Sequence, residues 1–530
     1  MRDSLAGGRL VAALCLLCAT VLLAIACVVA ARHIAPHHDE LWNHPQALAL
    51  ARGESLHLDG DLTLFGRHFP WVSGPYQGAF KTWLLAPLLR LFGTSPLALR
   101  AIDGGLAVLF LLALYWAARA ALTPLQSAPL LLLPLLDPEL LLFVPSDQGP
   151  FLLQCTLLTV ALGALLRAWL RNARRWLLLG VLAASATAGD KLTAAPVVLA
   201  WGVVAVLALR GKLLGWLRSR WALWLLLVGA LPAAPFAVYF ACRGFGLLRT
   251  MTTATSRLSW HGKLLIDLQH MLYSGNGAEW NRMLVGVGTA PWTSYGWRHL
   301  VGPALLGGLL VLLRRRDDRS RATALHTAMA LASLLLYAAF AGLTRPWHYL
   351  VLLPPLALAT AHALVLLGTV RGLRWLPTVS LVAASVVGGA NAWTQLSAQT
   401  EHRGALLSSP GLYGLSAELE RRGIRAVSSI SYSLWRPLYV LHGGRLIAED
   451  LEGADFGSPA TAGYLRQRLA TANCGVVYRR STFAWDKDWV AWLNRGAEWF
   501  ERTFADEPGL DRVRIPDGRG TEFVLVVRRR

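Results

Sequence analysis

The chain has 530 residues, of which 55% are hydrophobic and only 15% are charged, and its formal net charge is +20. A chain of this length and composition is too apolar to be a soluble protein. No nucleic-acid-binding motif accompanies the excess of Lys and Arg, which we attribute to membrane topology and to surfaces that face phosphate groups. The composition therefore predicts an integral membrane protein whose partners include membrane lipids and no nucleic acid.

Apolar segments follow one another as far as about residue 393, and each is close to the 20 or so residues that a spanning helix needs. The first, from Leu10 to Ala31, follows Arg2 and Arg9 and is expected to stay in the mature protein as an anchor. The others lie near 100–118, 127–145, 150–169, 176–189, 192–209, 221–241, 298–313, 322–343, 349–370 and 375–393. We predict a polytopic α-helical membrane protein with about eleven transmembrane helices.

Basic residues in the short loops predict the orientation, because Lys and Arg are retained on the cytoplasmic side of the membrane. Four basic loops fall on the same side as the N-terminus, namely RNARR, residues 210–220, RRRDDRSR and residues 371–374. The loops that begin at His33, Pro145, Asp190, Arg243 and Thr344 then face outward. We predict a multi-pass protein of the inner (plasma) membrane with a cytoplasmic N-terminus and an extracytoplasmic C-terminus.

A change in composition near Trp393 divides the chain into a membrane domain, residues 1–393, and a soluble extracytoplasmic domain, residues 394–530. In the second domain AELERRG and YLRQRLATA have the pattern of helices. IRAVSSISY, CGVVYRR and TEFVLVVRR alternate as strands do. This mixture predicts an α/β or α+β domain.

Two outward loops, 33–96 and 243–297, are longer than the topology requires, which is typical of functional loops. In the first, LWNHPQALALARG and FKTWLLAPLLRLFG place apolar residues at helical spacing beside basic and Trp residues. We expect two amphipathic helices that lie along the membrane surface.

Asp39 and Glu40 come directly after the first membrane helix, where they would face outward at the lipid boundary. Desolvation there would raise a carboxyl pKa and suit one of the two to general-base catalysis. The alternative is a solvated helix cap, with Asp39 as the N-cap of a helix that begins near Leu41. Position alone does not decide between the two.

Five segments, read in order, resemble the GT-C glycosyltransferases of the protein-mannosyltransferase and aminoarabinose-transferase type, family 39. They are HHDELWNHPQALALARG, PYQGAFKTWLLAPLLRLFGTSPLALR, PSDQGPFLLQCTLL, TAGDKLTA and RPWHYLVLLPPLAL. The resemblance covers about the first 390 residues and does not extend into the C-terminal domain. It implies a GT-C-like enzyme that moves a sugar, with inversion, from a polyprenyl-phosphate donor to a lipid, glycan or protein acceptor.

The resemblance also implies roles for individual residues. Asp39 and Glu40 match the family's Asp-Glu pair, and Asp39 would be the catalytic base. Lys81, Arg345 and His348 would contact the donor phosphate, which is the leaving group and whose negative charge needs cations as it departs from the sugar. A snorkelling role for Lys81 and a membrane-interface role for the RPWHYL segment remain open.

Asp147 and Tyr349 match positions that would orient the sugar or the acceptor, although Asp147 is equally suited to be a loop or cap residue. Asp190 and Lys191, at another outward helix end, are expected to pair with each other because an unpaired charge at membrane depth is costly.

Four histidines near the carboxylates, His33, His37, His38 and His44, suggest a divalent metal. Their spacing fits no recognised site, and the resemblance to the lipid-monosaccharide branch requires no metal. We therefore expect no metal and no cofactor. The six cysteines form no CxxC or Cys/His pattern, so no disulfide framework is predicted.

A lipid or glycan transporter is the main alternative, because many apolar spans with a few polar residues at helix ends also suit alternating access. That class predicts internal repeats and charges along a midplane route, whereas the candidate residues here gather on the outward side. A membrane scaffold is a third possibility, and its carboxylates would be dispensable.

Overall fold

A computed structural model describes residues 2–54, 56, 61–64, 67–74, 77–147, 149–244, 300–312, 317–339, 350–404, 408–432, 434–451, 454–482 and 487–529. Helices make up the membrane part, and a five-stranded sheet flanked by helices makes up the C-terminal part. This architecture confirms the predicted class, a helical membrane protein with a C-terminal α/β domain.

The helices of the membrane part, in chain order, are α1 Arg2–His33, α2 His44–Arg52, α3 Phe80–Phe92, α4 Pro96–Ala118, α5 Pro124–Ser127, α6 Pro138–Phe143, α7 Phe151–Arg171, α8 Arg174–Asp190, α9 Ala195–Leu217, α10 Trp221–Ala230, α11 Ala234–Arg243, α12 Val301–Leu312, α13 Asp318–Ala339, α14 Leu353–Leu367 and α15 Leu376–His402. Their positions follow the apolar segments of the sequence.

Seven helices of the described residues are long and apolar enough to cross a membrane. They are Ala6–His33, Pro96–Ala118, Phe151–Arg171, Leu192–Trp216, Trp221–Cys242, Leu350–Leu367 and Arg371–His402. The pair Pro124–Leu136 and Leu140–Ser146, bent by 68°, is either one broken span or a re-entrant loop. Helices α8, α12 and α13 coincide with the remaining apolar segments, but they are too short or too polar to count by these criteria. The number of eleven spans therefore stays a prediction.

The loop of residues 33–96 forms a helix in each of the two segments that were predicted as amphipathic, α2 and α3. Between them lie two small hairpins that the sequence analysis did not anticipate, β1 Asp61–Leu64 with β2 Arg67–Pro70, and β3 Val72–Gly74 with β4 Gln77–Gly78. Strand β4 bridges to Lys191 at the end of α8. A Cβ at Gly78 would lie 2.0 Å from the carbonyl oxygen of Gly189, so only glycine allows this approach.

The C-terminal domain is a three-layer α/β unit. Its strands are β5 Ala426–Ser429, β6 Ile447–Asp450, β7 Cys474–Ser481, β8 Leu510–Pro516 and β9 Thr521–Arg528, in the spatial order β6-β5-β7-β9-β8. Its helices are α16 Gly411–Arg421, α17 Trp435–Leu441, α18 Pro459–Ala470 and α19 Lys487–Thr503.

Alternation along the strands creates two apolar faces in this domain. Leu415 of α16 and Leu438 of α17 pack on the face that contains Val477. Leu465 of α18 and Phe500 of α19 pack on the opposite face. The three predicted strands and two predicted helices are present, whereas β6, β8, α17 and α19 were not anticipated. Helix α15 continues past residue 393 to His402, so the domain's first helix begins only at Gly411.

The C-terminal domain contacts the segment that follows α1. The amide of Ala35 donates to the carbonyl of Ser408 at 2.9 Å, and the amide of Gly404 donates to the carbonyl of His33 at 2.6 Å. The hydroxyl of Tyr413 donates to the carbonyl of Ile34 at 3.2 Å. The domain therefore lies at the end of the bundle where α1 ends.

We predict that this end faces outward. Alkaline phosphatase fused at the C-terminus should be active, and the same enzyme fused after Gly215 should be inactive, because basic loops stay in the cytoplasm. Green fluorescent protein at the same two sites should give the opposite pattern. Phosphatase activity at Gly215 together with fluorescence at the C-terminus would invert the orientation and contradict the prediction.

Candidate active site

The loop between α1 and α2 holds two adjacent carboxylates in different surroundings. The side chain of Asp39 is 42% exposed, whereas the residue Glu40 is only 1% exposed. Helix α2 begins at His44 after Asn43, and Asn43 makes no side-chain capping bond. Asp39 is therefore not the N-cap of the following helix, and the helix-cap interpretation of this residue is wrong.

Glu40 is held by an ion pair inside the protein. It pairs with Arg100 in the first turns of α4, and its second oxygen accepts the amide of His37 at 3.0 Å. Arg100, itself fully buried, also donates to the carbonyl of Pro145 at 2.6 Å and of Ile34 at 3.1 Å. This side chain joins α4 to two loops and fixes the position of Glu40.

Asp39 has a fixed backbone and an accessible carboxylate. Its amide donates to Nδ1 of His37 at 3.1 Å, and its carbonyl accepts the amide of Gly149 at 3.0 Å. The carboxylate lies 3.8 Å from Nδ1 of His37. Burial lowers the pKa of His37, so this neighbour is a neutral imidazole at pH 7. The arrangement leaves the Asp39 carboxylate at the protein surface, where a substrate group can meet it.

Lys81, at the start of α3, is completely buried in an ionic cluster. Its ammonium donates to the Asp147 carboxylate at 2.8 Å, to the carbonyl of Gly149 at 2.8 Å and to the carbonyl of Asp147 at 3.3 Å. The carboxylate of Asp103 lies 3.7 Å away. An ammonium has three donors, and these partners use them. The snorkelling interpretation is therefore wrong, because the ammonium points into the protein.

The two carboxylates around Lys81 differ in their partners. Asp147 accepts the amide of Leu152 at 3.2 Å and so caps the first turn of α7 while it binds Lys81. Asp103 lies about two turns into α4 and is fully buried. Neither of its carboxylate oxygens has a hydrogen-bond partner among the described residues. This carboxylate and Arg100 were missed in the sequence, because they are two charges inside an otherwise apolar helix.

Asp190 and Lys191 belong to the same end of the bundle. Asp190 accepts the backbone amide of Lys81 at 3.2 Å. The Lys191 ammonium lies 3.7 Å from the centre of the Phe151 ring. The backbone carbonyl of Lys191 accepts a hydrogen bond from the side-chain amide of Gln154 at 3.0 Å. The structure thus gathers residues at or next to the ends of α1, α3, α4, α7 and α8 into one site.

Three predicted site residues and the suggested metal ligands remain to be placed. Arg345, His348 and Tyr349 lie outside the described residues. His37, His38 and His44 are buried beside the carboxylates, yet in the part of the chain that the structure describes no group of three or more His, Cys, Asp or Glu side chains is arranged to hold a metal. The absence of a metal and of a cofactor stays a prediction, as do the roles of the individual site residues.

We predict that Arg100→Met costs about 3–5 kcal/mol of folding stability, because it leaves Glu40 as an unpaired buried charge. Glu40→Gln should also destabilise the protein, and the double variant should lose less than the sum of the two losses. The measurement is thermal unfolding in detergent. Arg321→Gln is the matched control, since its pair with Asp318 is exposed and contributes roughly 0–1 kcal/mol. Additive losses in the double variant would show that the two side chains are not coupled.

We compared the chain and its structure with known proteins. No protein-family model and no curated protein matches the chain. Among solved structures, ArnT from Cupriavidus metallidurans bound to undecaprenyl phosphate is similar, with a TM-score of 0.53 and 14% identity over 97% of each chain.

Two structures of the Archaeoglobus fulgidus oligosaccharyltransferase are more distant. The complex with Zn and sulfate has a TM-score of 0.46 and 14% identity, over 86% of this chain and 67% of that chain. AglB in complex with an inhibitory peptide and a dolichol-phosphate has a TM-score of 0.43 and 12% identity, over 87% and 69%. The similarity to ArnT spans both the membrane helices and the C-terminal domain. The resemblance predicted from the sequence is thus confirmed at the level of the fold: the chain has the fold of ArnT.

Proposed function

We propose that this protein is a membrane glycosyltransferase that moves a sugar from a polyprenyl-phosphate donor to a lipid, glycan or protein acceptor at the outer face of the membrane. The observation that carries the proposal is an accessible carboxylate, Asp39, beside a buried ionic cluster, in a chain that matches a polyprenyl-phosphate-binding transferase over 97% of its length. ArnT in that structure holds undecaprenyl phosphate. A lipid-phosphate sugar is the donor class that this fold supports best.

Asp39 is the proposed general base. Its backbone is held by His37 and Gly149, so the carboxylate has a defined position without being used in an internal ion pair. It would take the proton of an acceptor hydroxyl as the oxygen attacks the anomeric carbon from the face opposite the phosphate. A single displacement of this kind inverts the anomeric configuration. Glu40 supports the reaction through the loop, because its carboxylate is occupied by Arg100.

The leaving polyprenyl phosphate already carries negative charge and needs cations rather than a proton donor. Lys81 is the proposed cation among the described residues, with Arg345 and His348 as further candidates. A phosphate would compete with Asp147 for the Lys81 ammonium, and Asp103 would remain beside it to balance the charge. Asp147 and Tyr349 keep their proposed part in orienting the sugar or the acceptor.

A transporter is less well supported by the same residues. The charged side chains that the structure gathers come from the outward ends of α1, α3, α4, α7 and α8 and form one site at one end of the bundle. Alternating access requires polar groups along a route through the midplane. A site at one end suits a reaction between a lipid-linked donor and an acceptor from outside.

We predict that Asp39→Asn lowers sugar transfer by about 10²-fold or more, because the base is lost while the shape is kept. Transfer of radiolabelled sugar from polyprenyl-phosphate donors to endogenous acceptors, measured in right-side-out and inverted membranes, tests this. The Asn variant should retain the thermal stability of the wild type, since the Asp39 side chain forms no buried ion pair.

Glu54→Gln is the matched control, because Glu54 is an exposed carboxylate of the same outward loop. It should transfer sugar at the rate of the wild type. Full transfer by the Asn variant would remove Asp39 from the chemistry. Equal transfer with and without the protein, across a broad set of donors, would instead favour transport or a scaffold role.

A further inference from the structure

The C-terminal domain packs directly against the loop that carries Asp39. Arg436 of α17 donates to Nε2 of His38 and lies 3.8 Å from the centre of the Trp42 ring. The ring of Tyr432 lies 5.3 Å from the ring of His38. We call this contact region the seam, formed by residues 34–43 on one side and by Tyr432, Arg436 and Arg479 on the other.

The seam is tightly constructed. Apolar packing joins Tyr439 and Val440 of α17 to Leu41 and Leu48 of the first outward loop. Arg436 also makes a cation–π contact with Trp42 and a charged hydrogen bond to His38. These two residues flank the acidic pair Asp39 and Glu40 in the sequence, so Arg436 fixes the loop on both sides of the pair. Groups inside the seam are thereby held in place relative to the Asp39 carboxylate.

Arg479 stands out within the seam. It lies on β7, is only 1% exposed, and one of its terminal nitrogens donates to the carbonyl of Tyr432 at 3.3 Å. No carboxylate of the described residues forms an ion pair with it. Burial lowers the pKa of Arg479 to about 10, so it is still a cation at neutral pH. Its neighbour on the strand, Arg480, is different, because it is more exposed and pairs with Glu501 at 2.9 Å.

The imidazoles that face this region also have unused nitrogens. Nε2 of His37 and Nδ1 of His38 are buried and have no hydrogen-bond partner among the described residues. Burial lowers the pKa of His37, and the charge of Arg479 adds to that effect. Tyr432, whose carbonyl accepts the hydrogen bond from Arg479, places its ring 5.3 Å from the ring of His38, so the guanidinium and these imidazoles belong to one contact region. The other ring nitrogen of His37 lies 3.8 Å from the Asp39 carboxylate.

A buried cation without a counter-charge is costly, because the guanidinium loses its hydration and gains no ion pair in return. Uncompensated groups of this kind are typical of functional sites, where a ligand supplies the missing partner. Domain boundaries are also common places for ligands to bind. An oxyanion fits these groups, since a guanidinium offers paired donors to phosphate and carboxylate oxygens.

We propose that the seam binds a phosphate or carboxylate group of a substrate, with Arg479 as its principal cation. The seam includes His37 and His38, the two residues before Asp39, so an anion bound there would share the loop that carries the proposed base. The identity of the substrate rests on the proposed function, whereas the binding of an oxyanion does not. The anion belongs either to the lipid donor or to the acceptor, and the two sources are separable by experiment.

The test compares Arg479→Gln and Arg479→Lys with Arg480→Gln as the matched control on the same strand. Binding of undecaprenyl phosphate and of orthophosphate to the full-length protein is measured in detergent at constant ionic strength. We expect Arg479→Gln to weaken the binding of at least one probe by about tenfold or more, Arg479→Lys to restore part of it, and Arg480→Gln to leave both unchanged.

The two probes and the kinetics identify the source of the anion. If the donor supplies it, undecaprenyl phosphate binding falls and the KM for the donor rises. If the acceptor supplies it, orthophosphate binding falls, undecaprenyl phosphate binding is kept, and the KM for the acceptor rises. The wild type could bind an oxyanion in a way that Arg479→Gln abolishes and yet transfer no sugar. That result would reject the proposed transferase and retain the subsite.

Thermal unfolding separates this role from a structural one. Arg479→Gln should unfold at the temperature of the wild type or above it, because it removes a buried charge that has no ion-pair partner among the described residues. Arg479→Gln could instead unfold at a lower temperature while it and the folded Arg479→Lys variant bind both probes as the wild type does. Arg479 would then only support the fold. That result would overturn the proposal.

Discussion

The buried ion pair between Glu40 and Arg100 is the interaction on which the site depends. The two residues are 60 positions apart, and the pair joins the loop after α1 to the first turns of α4. Because Arg100 also binds the carbonyls of Ile34 and Pro145, one guanidinium fixes three segments of backbone. The desolvation of both charges is offset only while all these partners are in place. The position of Asp39, the next residue in the loop, follows from this constraint.

The Lys81 cluster is a second set of buried charges that holds the loop containing Asp39. Lys81 draws together Asp103 of α4 and Asp147 of the loop before α7, and the amide of Gly149 donates to the carbonyl of Asp39. Two adjacent carboxylates thus differ in function, since Glu40 holds the loop and Asp39 remains accessible. The C-terminal domain contributes to the same rigidity through Arg436 and the backbone bonds around His33. A site positioned from three sides needs little rearrangement when a substrate binds.

The sequence predicts the fold well because a membrane helix is specified by local composition, and the apolar runs coincide with α1, α4, α7, α9 and α14. It also indicates Asp39, Glu40, Lys81 and Asp147, which stand in loops or at helix ends. Arg100 and Asp103 could not be found in this way, because they lie inside an apolar helix and their partners, Glu40 and Lys81, are distant in the chain. The short hairpins β1–β4 and the strands β6 and β8 depend on tertiary pairing rather than on a strong local pattern. The seam with Arg479 could not be predicted from the sequence either, because it forms between segments that are distant in the chain.

The most direct test of the proposed transferase is to locate its lipid carrier. An undecaprenyl phosphate analogue with a photoreactive group next to the phosphate is irradiated with the purified protein, and the labelled peptides are identified. The account predicts labelling around Asp39, Lys81 and residues 145–154, with competition by unlabelled undecaprenyl phosphate. Labelling confined to the apolar cavity of about 510 Å³ near the other end of α1, which Val11, Cys15 and Leu125 line, would contradict it.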